Sequence, residues 1–182
     1  VKIWVDDRGG RVKKLTPDIY GPIIEEAHAQ NLMALAHVYY LDDAHALVDA
    51  GIDGFMHLVR DKVMDDRLIA KMKARNVFTA ANIGGSRRAT LSELPAETLG
   101  RLSESVPSAV VDQYRGSLKS RTPKALASSR TIYANMAESL ARLNRAGVTI
   151  VPGGDTGIPN AWHGWAEQYE LETMVPAGMT PA

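Results

Sequence analysis

Short apolar runs alternate along the chain with longer segments of helical period. Val1-Lys2-Ile3-Trp4-Val5 reads as a first strand. Thr16 then caps a helix with Pro17 at its first position, running to about Gln30 with the apolar stripe Ile19, Ile23, Ile24 and Ala27. Asn31 is its C-cap. A second strand, Leu32 to His37, leads to a short helix capped by Asp42 and stopped by Gly51. The third strand runs from about Ile52 to Met56, and a helix from about Asp65 to Arg75 packs through Leu68, Ile69 and Met72. The fourth strand is Val77 to Ala81. A less regular region from Asn82 to about Thr122 follows, with Gly84, Gly85, Pro95 and Pro107, and reads as a functional lid or a partly disordered loop. A helix from about Lys124 to Ala146 ends at Gly147, the fifth strand is Val148 to Val151, and a last helix runs from about Gly164 to Ala177.

Strands alternating with helices argue for βα units and a parallel sheet. Two architectures fit five such units: part of a (β/α)8 barrel, or an open doubly wound sheet. A whole barrel needs about 250 residues, and this chain has 182. No Gly-x-Gly-x-x-Gly follows the first strand, which removes the dinucleotide-binding form of the open sheet. The reading is therefore α/β, a partial TIM barrel truncated at its N-terminus. Residues 1–182 are taken as the C-terminal part of one barrel domain. Val1 falls directly on a strand, and Met179-Thr180-Pro181 looks like the start of a further helix, as in a piece of a longer protein.

Composition narrows the partners. Apolar residues make up 45% and charged residues 23%, the balance of a globular domain. The formal net charge is zero, which gives no electrostatic case for nucleic acid or an anionic membrane. No run is long and apolar enough to span a bilayer. No targeting segment is visible, so the cytoplasm is the default compartment. There is no cysteine, so any metal must be held by N and O ligands. The expected partner is a small-molecule substrate, with a homo-oligomer left open.

The chemistry concentrates at strand ends. Asp155 lies in Val151-Pro152-Gly153-Gly154-Asp155-Thr156-Gly157, where a β-branched run gives way to a loop. His37 closes the second strand, His57 follows the third, and Lys2 lies in the first. In a barrel, catalytic groups gather at the C-terminal ends of strands. Each residue also has a plainer reading: Lys2 a solvated chain end, the histidines satisfied core residues, Asp155 a turn former. Arg60 could clamp a substrate carboxylate or pair with Asp61. Tyr39, Tyr40 and Trp4 line a pocket or pack behind it. His163, in the last βα loop, is a candidate substrate contact. His28 and His45 read as solvated helix residues, and Asp6-Asp7-Arg8-Gly9-Gly10 as an ordinary turn. Arg87-Arg88 is too short for a nucleic-acid patch, and neither a serine nucleophile elbow nor a P-loop is present.

Lys, His, His and Asp in this order resemble the amidohydrolase superfamily, specifically the imidazolonepropionase-like metal-dependent hydrolases. The resemblance spans the whole chain, read as strand four through the helix after strand eight. The tail from His163-Gly164 through Glu170-Leu171-Glu172 is similar to the family's last helix. The resemblance implies that Lys2 in Val1-Lys2-Ile3-Trp4 carries a carbamate bridging two divalent metals, with zinc the expected ion. It implies that His37 in Leu35-Ala36-His37 and His57 in Phe55-Met56-His57 bind one metal. It implies that Asp155 binds the other and takes a proton from the bridging water. The expected reaction is hydrolysis of C–N bonds in cyclic amides or dipeptide-like substrates, with esters as an extension. The family's strand-one His-x-His has no counterpart here, and Leu58-Val59-Arg60-Asp61 follows His57 where many members carry glycine. A non-catalytic fragment or small-molecule-binding α/β domain is the alternative.

Overall fold

The computed structural model describes residues 1–181. Among them run β1 (Lys2–Val5), α1 (Pro17–Ala29), β2 (Leu35–Val38), α2 (Leu41–Asp49), β3 (Gly54–Phe55), α3 (Asp66–Ala74), β4 (Phe78–Ala80), α4 (Ile83–Ala89), α5 (Ala96–Ser105), α6 (Ser108–Lys119), α7 (Pro123–Ala146), β5 (Ile150–Val151) and α8 (Trp165–Met174). The five strands lie side by side in sequence order, each parallel to the next. A doubly wound sheet reverses its order at a switch point. This sheet has no reversal, and it is a partial (β/α) barrel with β1 and β5 at its edges.

The register assigns the faces. Ile3, Ala36, Phe55, Thr79 and Ile150 stand in one row. Ile3, Ala36 and Phe55 are buried in one apolar core with Ile24 of α1, Leu47 of α2, Leu68 and Met72 of α3 and Leu140 of α7. Burying that face and those helix stripes together is the main drive to fold. The alternate row, Lys2, Leu35, Gly54 and Phe78, faces the other way. The Phe78 ring lies across Gly54, where a Cβ would stand 2.6 Å from it. A second core joins Leu102, Tyr114, Leu118, Trp165 and Tyr169 from α5, α6 and α8.

Several local expectations need correction. Asn82 to Thr122 is not irregular: α4, α5 and α6 occupy most of it. Pro95 and Pro107 are the N-caps of α5 and α6. Gly84 and Gly85 sit inside α4, and a Cβ on Gly84 would stand 2.9 Å from the Glu170 carboxylate of α8. Gly84 therefore marks a close approach and not a loop. The stripe of α1 is Tyr20, Ile24 and Ala27, with Ile19 exposed. Tyr40, not Asp42, is the N-cap of α2, and the Leu41 N–H donates to Asp61 Oδ1 at 2.9 Å. Asp65 caps α3, accepting from the Leu68 N–H, and Thr122 caps α7, accepting from the Ala125 N–H. His45 is not a free surface residue. Its Nε2 lies 2.9 Å from Asp65 Oδ2, tying α2 to the start of α3. His28 likewise pairs with Asp53 at 2.9 Å, although it stays exposed.

Candidate active site

β1 and β2 bring the first side chains together. Lys2, Trp4 and Asp6 follow a two-residue alternation, so they share a side of the chain. Trp4 pairs in register with His37, and their rings stack with centroids 3.7 Å apart and planes 6° off parallel. Asp6, just beyond β1, is buried and places Oδ2 3.0 Å from His37 Nε2. Asp6 Oδ1 accepts from the Arg8 N–H at 2.7 Å, which fixes the carboxylate. Asp6 was expected to be a turn former, and it holds a buried histidine as well. The missed signal is the alternation of β1 carried one step past its end.

His57 follows β3 on a bend, outside the strand alternation. Its ring meets that of His37 edge-on, with centroids 4.4 Å apart. Both histidines are 4% exposed. Burial pushes the His37 pKa down against the opposing pull of Asp6. Burial, followed by the charges of Arg60, His37 and Lys2, takes His57 down to about 2. Both imidazoles are therefore neutral at physiological pH. Nδ1 of each is buried without a hydrogen-bond partner among the described residues.

Arg60 is not tied to Asp61, whose carboxylate caps α2. Its guanidinium lies over the Tyr39 ring at 5.8 Å. Burial lowers its pKa, while Asp6, Tyr39 and Asp155 pull it back up. The Asn135 amide of α7 donates to the carbonyls of Arg60 and Asp61 at 3.0 and 3.1 Å, pinning this loop to the long helix. Arg60, Tyr39 and Asp155 all line one cavity of about 310 Å³. Asp155 follows β5 in the left-handed region at φ 47°, and Asn82, after β4, has φ 49°. Both line the cavity. Left-handed backbone is held by the surrounding fold at some energetic cost, and Asn and Asp tolerate it best.

The structure thus groups Trp4, Asp6, His37 and His57, with the charge of Lys2 bearing on both histidines, beside a cavity shared by Tyr39, Arg60 and Asp155. His163 is exposed and lies outside the cavity lining. Among the described residues no three His, Asp or Glu side chains are gathered as a metal-binding group. Arg88 of α4 and Tyr114 of α6, from the segment expected to be irregular, also line the cavity.

No protein-family model matches the chain, and no curated protein matches it in sequence. Solved structures do match. Ochratoxinase from A. niger is 19% identical with a TM-score of 0.68, the match covering 100% of this chain and 36% of the ochratoxinase. A putative prolidase from Bifidobacterium longum is 21% identical with a TM-score of 0.68, over 99% of this chain and 40% of the prolidase. Bottromycin amidohydrolase is 14% identical with a TM-score of 0.63, over 98% of this chain and 42% of its own length. The chain therefore spans well under half the length of each. The order of its strands and its likeness to these structures agree: this chain has the fold of part of a (β/α)8 barrel, similar to the barrels of these three proteins.

Proposed function

We propose that this barrel segment serves a metal-dependent hydrolase that cleaves C–N bonds of amide, cyclic amide or dipeptide-like substrates through an activated water. The observation that carries the reading is the histidine pair. Two neutral imidazoles lie edge to face, each with a buried Nδ1 lacking a partner. Such donors fit zinc and related borderline ions. Asp6 on His37 Nε2 resembles the carboxylate that orients a metal-binding imidazole. Among the described residues no nearby His, Asp or Glu completes a group of three donors. Lys2 on the same sheet face would supply the third donor as a carbamate, which replaces a cation by a bidentate anion.

A bound divalent ion supplies a low-pKa water and polarises the substrate carbonyl. The chain's own residues do the rest. Asp155, on the loop after β5, takes the proton from the attacking water. Arg60, held by Tyr39 and by the Asn135 tether, faces the same cavity and holds an anionic substrate group. Likeness to ochratoxinase, a putative prolidase and bottromycin amidohydrolase supports the reaction class.

The test uses the protein that carries this chain together with the remaining barrel strands. Asp155→Asn keeps size and hydrogen bonding but removes the base. Turnover of dipeptide and N-acyl amino acid substrates should fall about 10²–10⁴-fold. Bound metal should fall less than in the double variant His37→Ala with His57→Ala. An Asp155→Asn protein with full metal and parental turnover would exclude this mechanism. A second reading, a small-molecule-binding domain without metal, is favoured by the lack of a three-residue donor group among the described residues. It is supported if metal analysis finds no tightly held ion.

A further inference from the structure

The first strand and the loop after it grip His37 from two directions. Trp4, its register partner on β1, lies flat on the imidazole, with centroids 3.7 Å apart and planes 6° off parallel. The Trp4 Nε1–H donates to the Asp6 carbonyl at 3.1 Å, which fixes the plane of the indole. The Asp6 carboxylate lies 3.0 Å from His37 Nε2 and accepts from the Arg8 N–H at 2.7 Å. Arg8, left-handed at φ 54°, turns the loop back, and its guanidinium lies over the Trp4 ring at 5.2 Å. The contacts close a circuit from Trp4 to His37, Asp6, Arg8 and back to Trp4.

A large aromatic residue on a strand ordinarily fills a core. Trp4 belongs to neither apolar core among the described residues and stays 42% exposed. Its stacking partner is a buried histidine and not an apolar side chain. The carboxylate and the indole act on that histidine differently. A carboxylate at Nε2 puts the imidazole hydrogen there, so Nδ1 keeps the lone pair. That single contact leaves the ring free to swing about the Nε2···Oδ2 line, because the outer torsion of a histidine is broad. A flat aromatic face removes the swing, since tilting the ring breaks the stack or drives its edge into the indole.

We propose that Trp4 is a positioning residue for His37: together with Asp6 it locks the imidazole in one plane and one tautomer, leaving Nδ1 as the nitrogen open to a divalent ion. The ion rests on the hydrolase reading. The locked ring is a property of the metal-free protein. Nδ1 of His37 is buried without a hydrogen-bond partner among the described residues, as the lock requires. A donor already held in its bound orientation loses less freedom when the ion arrives. Groups that orient a metal-binding imidazole from behind are typically worth about 10–100-fold in affinity.

The experiment uses the full protein that carries this chain, stripped of metal by a chelator, with zinc ion as the probe. Zinc affinity is read by titration calorimetry, and the His37 ring is read by imidazole proton and nitrogen NMR before zinc is added. The parent should show a single Nε2–H tautomer, with ring protons displaced upfield by the indole. Trp4→Leu should abolish that displacement and weaken zinc about tenfold or more. Trp4→Phe keeps a flat ring and should recover to within about threefold of the parent. Trp4→Leu combined with Asp6→Asn should lose less than the two single losses together, because both act through one ring. Circular dichroism and thermal melts establish that each variant is folded. If Trp4→Leu does not fold, the β-branched Trp4→Val, suited to a strand, replaces it. A merely structural role would lower the melting temperature without moving the His37 spectrum. The lock is overturned if the parent shows mixed tautomers, if folded Trp4→Leu binds zinc like the parent, or if Trp4→Phe is as weak as Trp4→Leu. A parent that binds no zinc while its His37 ring is locked refutes the hydrolase reading and upholds the lock.

Discussion

Replacing Glu170 with alanine should be among the most damaging changes to this chain, because of where its two oxygens go. Glu170 is 1% exposed in α8, and it accepts from the backbone N–H groups of Ile83 and Gly84 at the start of α4. These are among the donors a helix cannot satisfy within itself. Asn82, the N-cap residue, makes no side-chain cap bond, so Glu170 does that work from another helix. Glu170→Ala leaves two buried N–H groups without partners, at about 1–3 kcal/mol each. The gain from no longer burying a carboxyl offsets part of this. A loss of about 2–5 kcal/mol in a urea titration is expected, with reduced protection of the α4 amides in hydrogen exchange. Glu170→Gln gives a finer test. Its amide oxygen can still accept one N–H, so the loss should be smaller. Burial holds the folded Glu170 pKa above its ordinary value despite those N–H bonds. Its contribution to stability is therefore largest at acid pH and is lost as pH rises through the folded pKa. The gap between parent and Glu170→Gln should accordingly narrow from pH 4.5 to pH 7. A Glu170→Ala protein within about 1 kcal/mol of the parent would show that the α4 donors have other partners.

Three further outcomes follow from the geometry. His57 should stay neutral in the metal-free protein down to about pH 4, seen as a flat imidazole NMR titration; since its folded pKa is depressed to about 2, its contribution is present above the unfolded pKa of about 6.5 and is lost as pH falls below it, by about 1 kcal/mol per pH unit. A His57→Asn protein should lack that share of the acid sensitivity, and an unchanged slope would refute the assignment. Gly54→Ala should cost about 1–3 kcal/mol in a denaturant melt, because its Cβ would stand 2.6 Å from the Phe78 ring, and pairing it with Phe78→Leu should recover most of the loss. Gly147→Ala at the C-cap of α7, where φ is 69°, should cost about 1 kcal/mol with no local change beyond the helix end.

What the sequence determined by itself was the order and type of the main elements. The first strand, the start of α1 after Thr16, the start of α3 near Asp65 and the stop of α7 at Gly147 depend on residues within a turn or two, so they are legible locally. Resemblance and strand position also point to Lys2, His37, His57 and Asp155 as metal ligands, and of these the structure brings the His37 and His57 rings into contact. Tertiary structure decided the rest. The segment from Asn82 to Thr122 looked irregular because its glycines and prolines were read as loop formers. Gly84 is instead a close approach to α8, and Pro95 and Pro107 stand at the starts of two helices. α8 itself carries buried residues around much of its circumference, among them Trp165, Tyr169, Glu170 and Met174, so it gives no amphipathic stripe to read. The partner of His37 is 31 positions away and the cap of α4 is 86 to 87 positions away. No local pattern can encode such pairings. They arise because a parallel sheet of sequence-ordered strands sets successive strand ends side by side, and because helices packed on that sheet must satisfy each other's buried backbone groups.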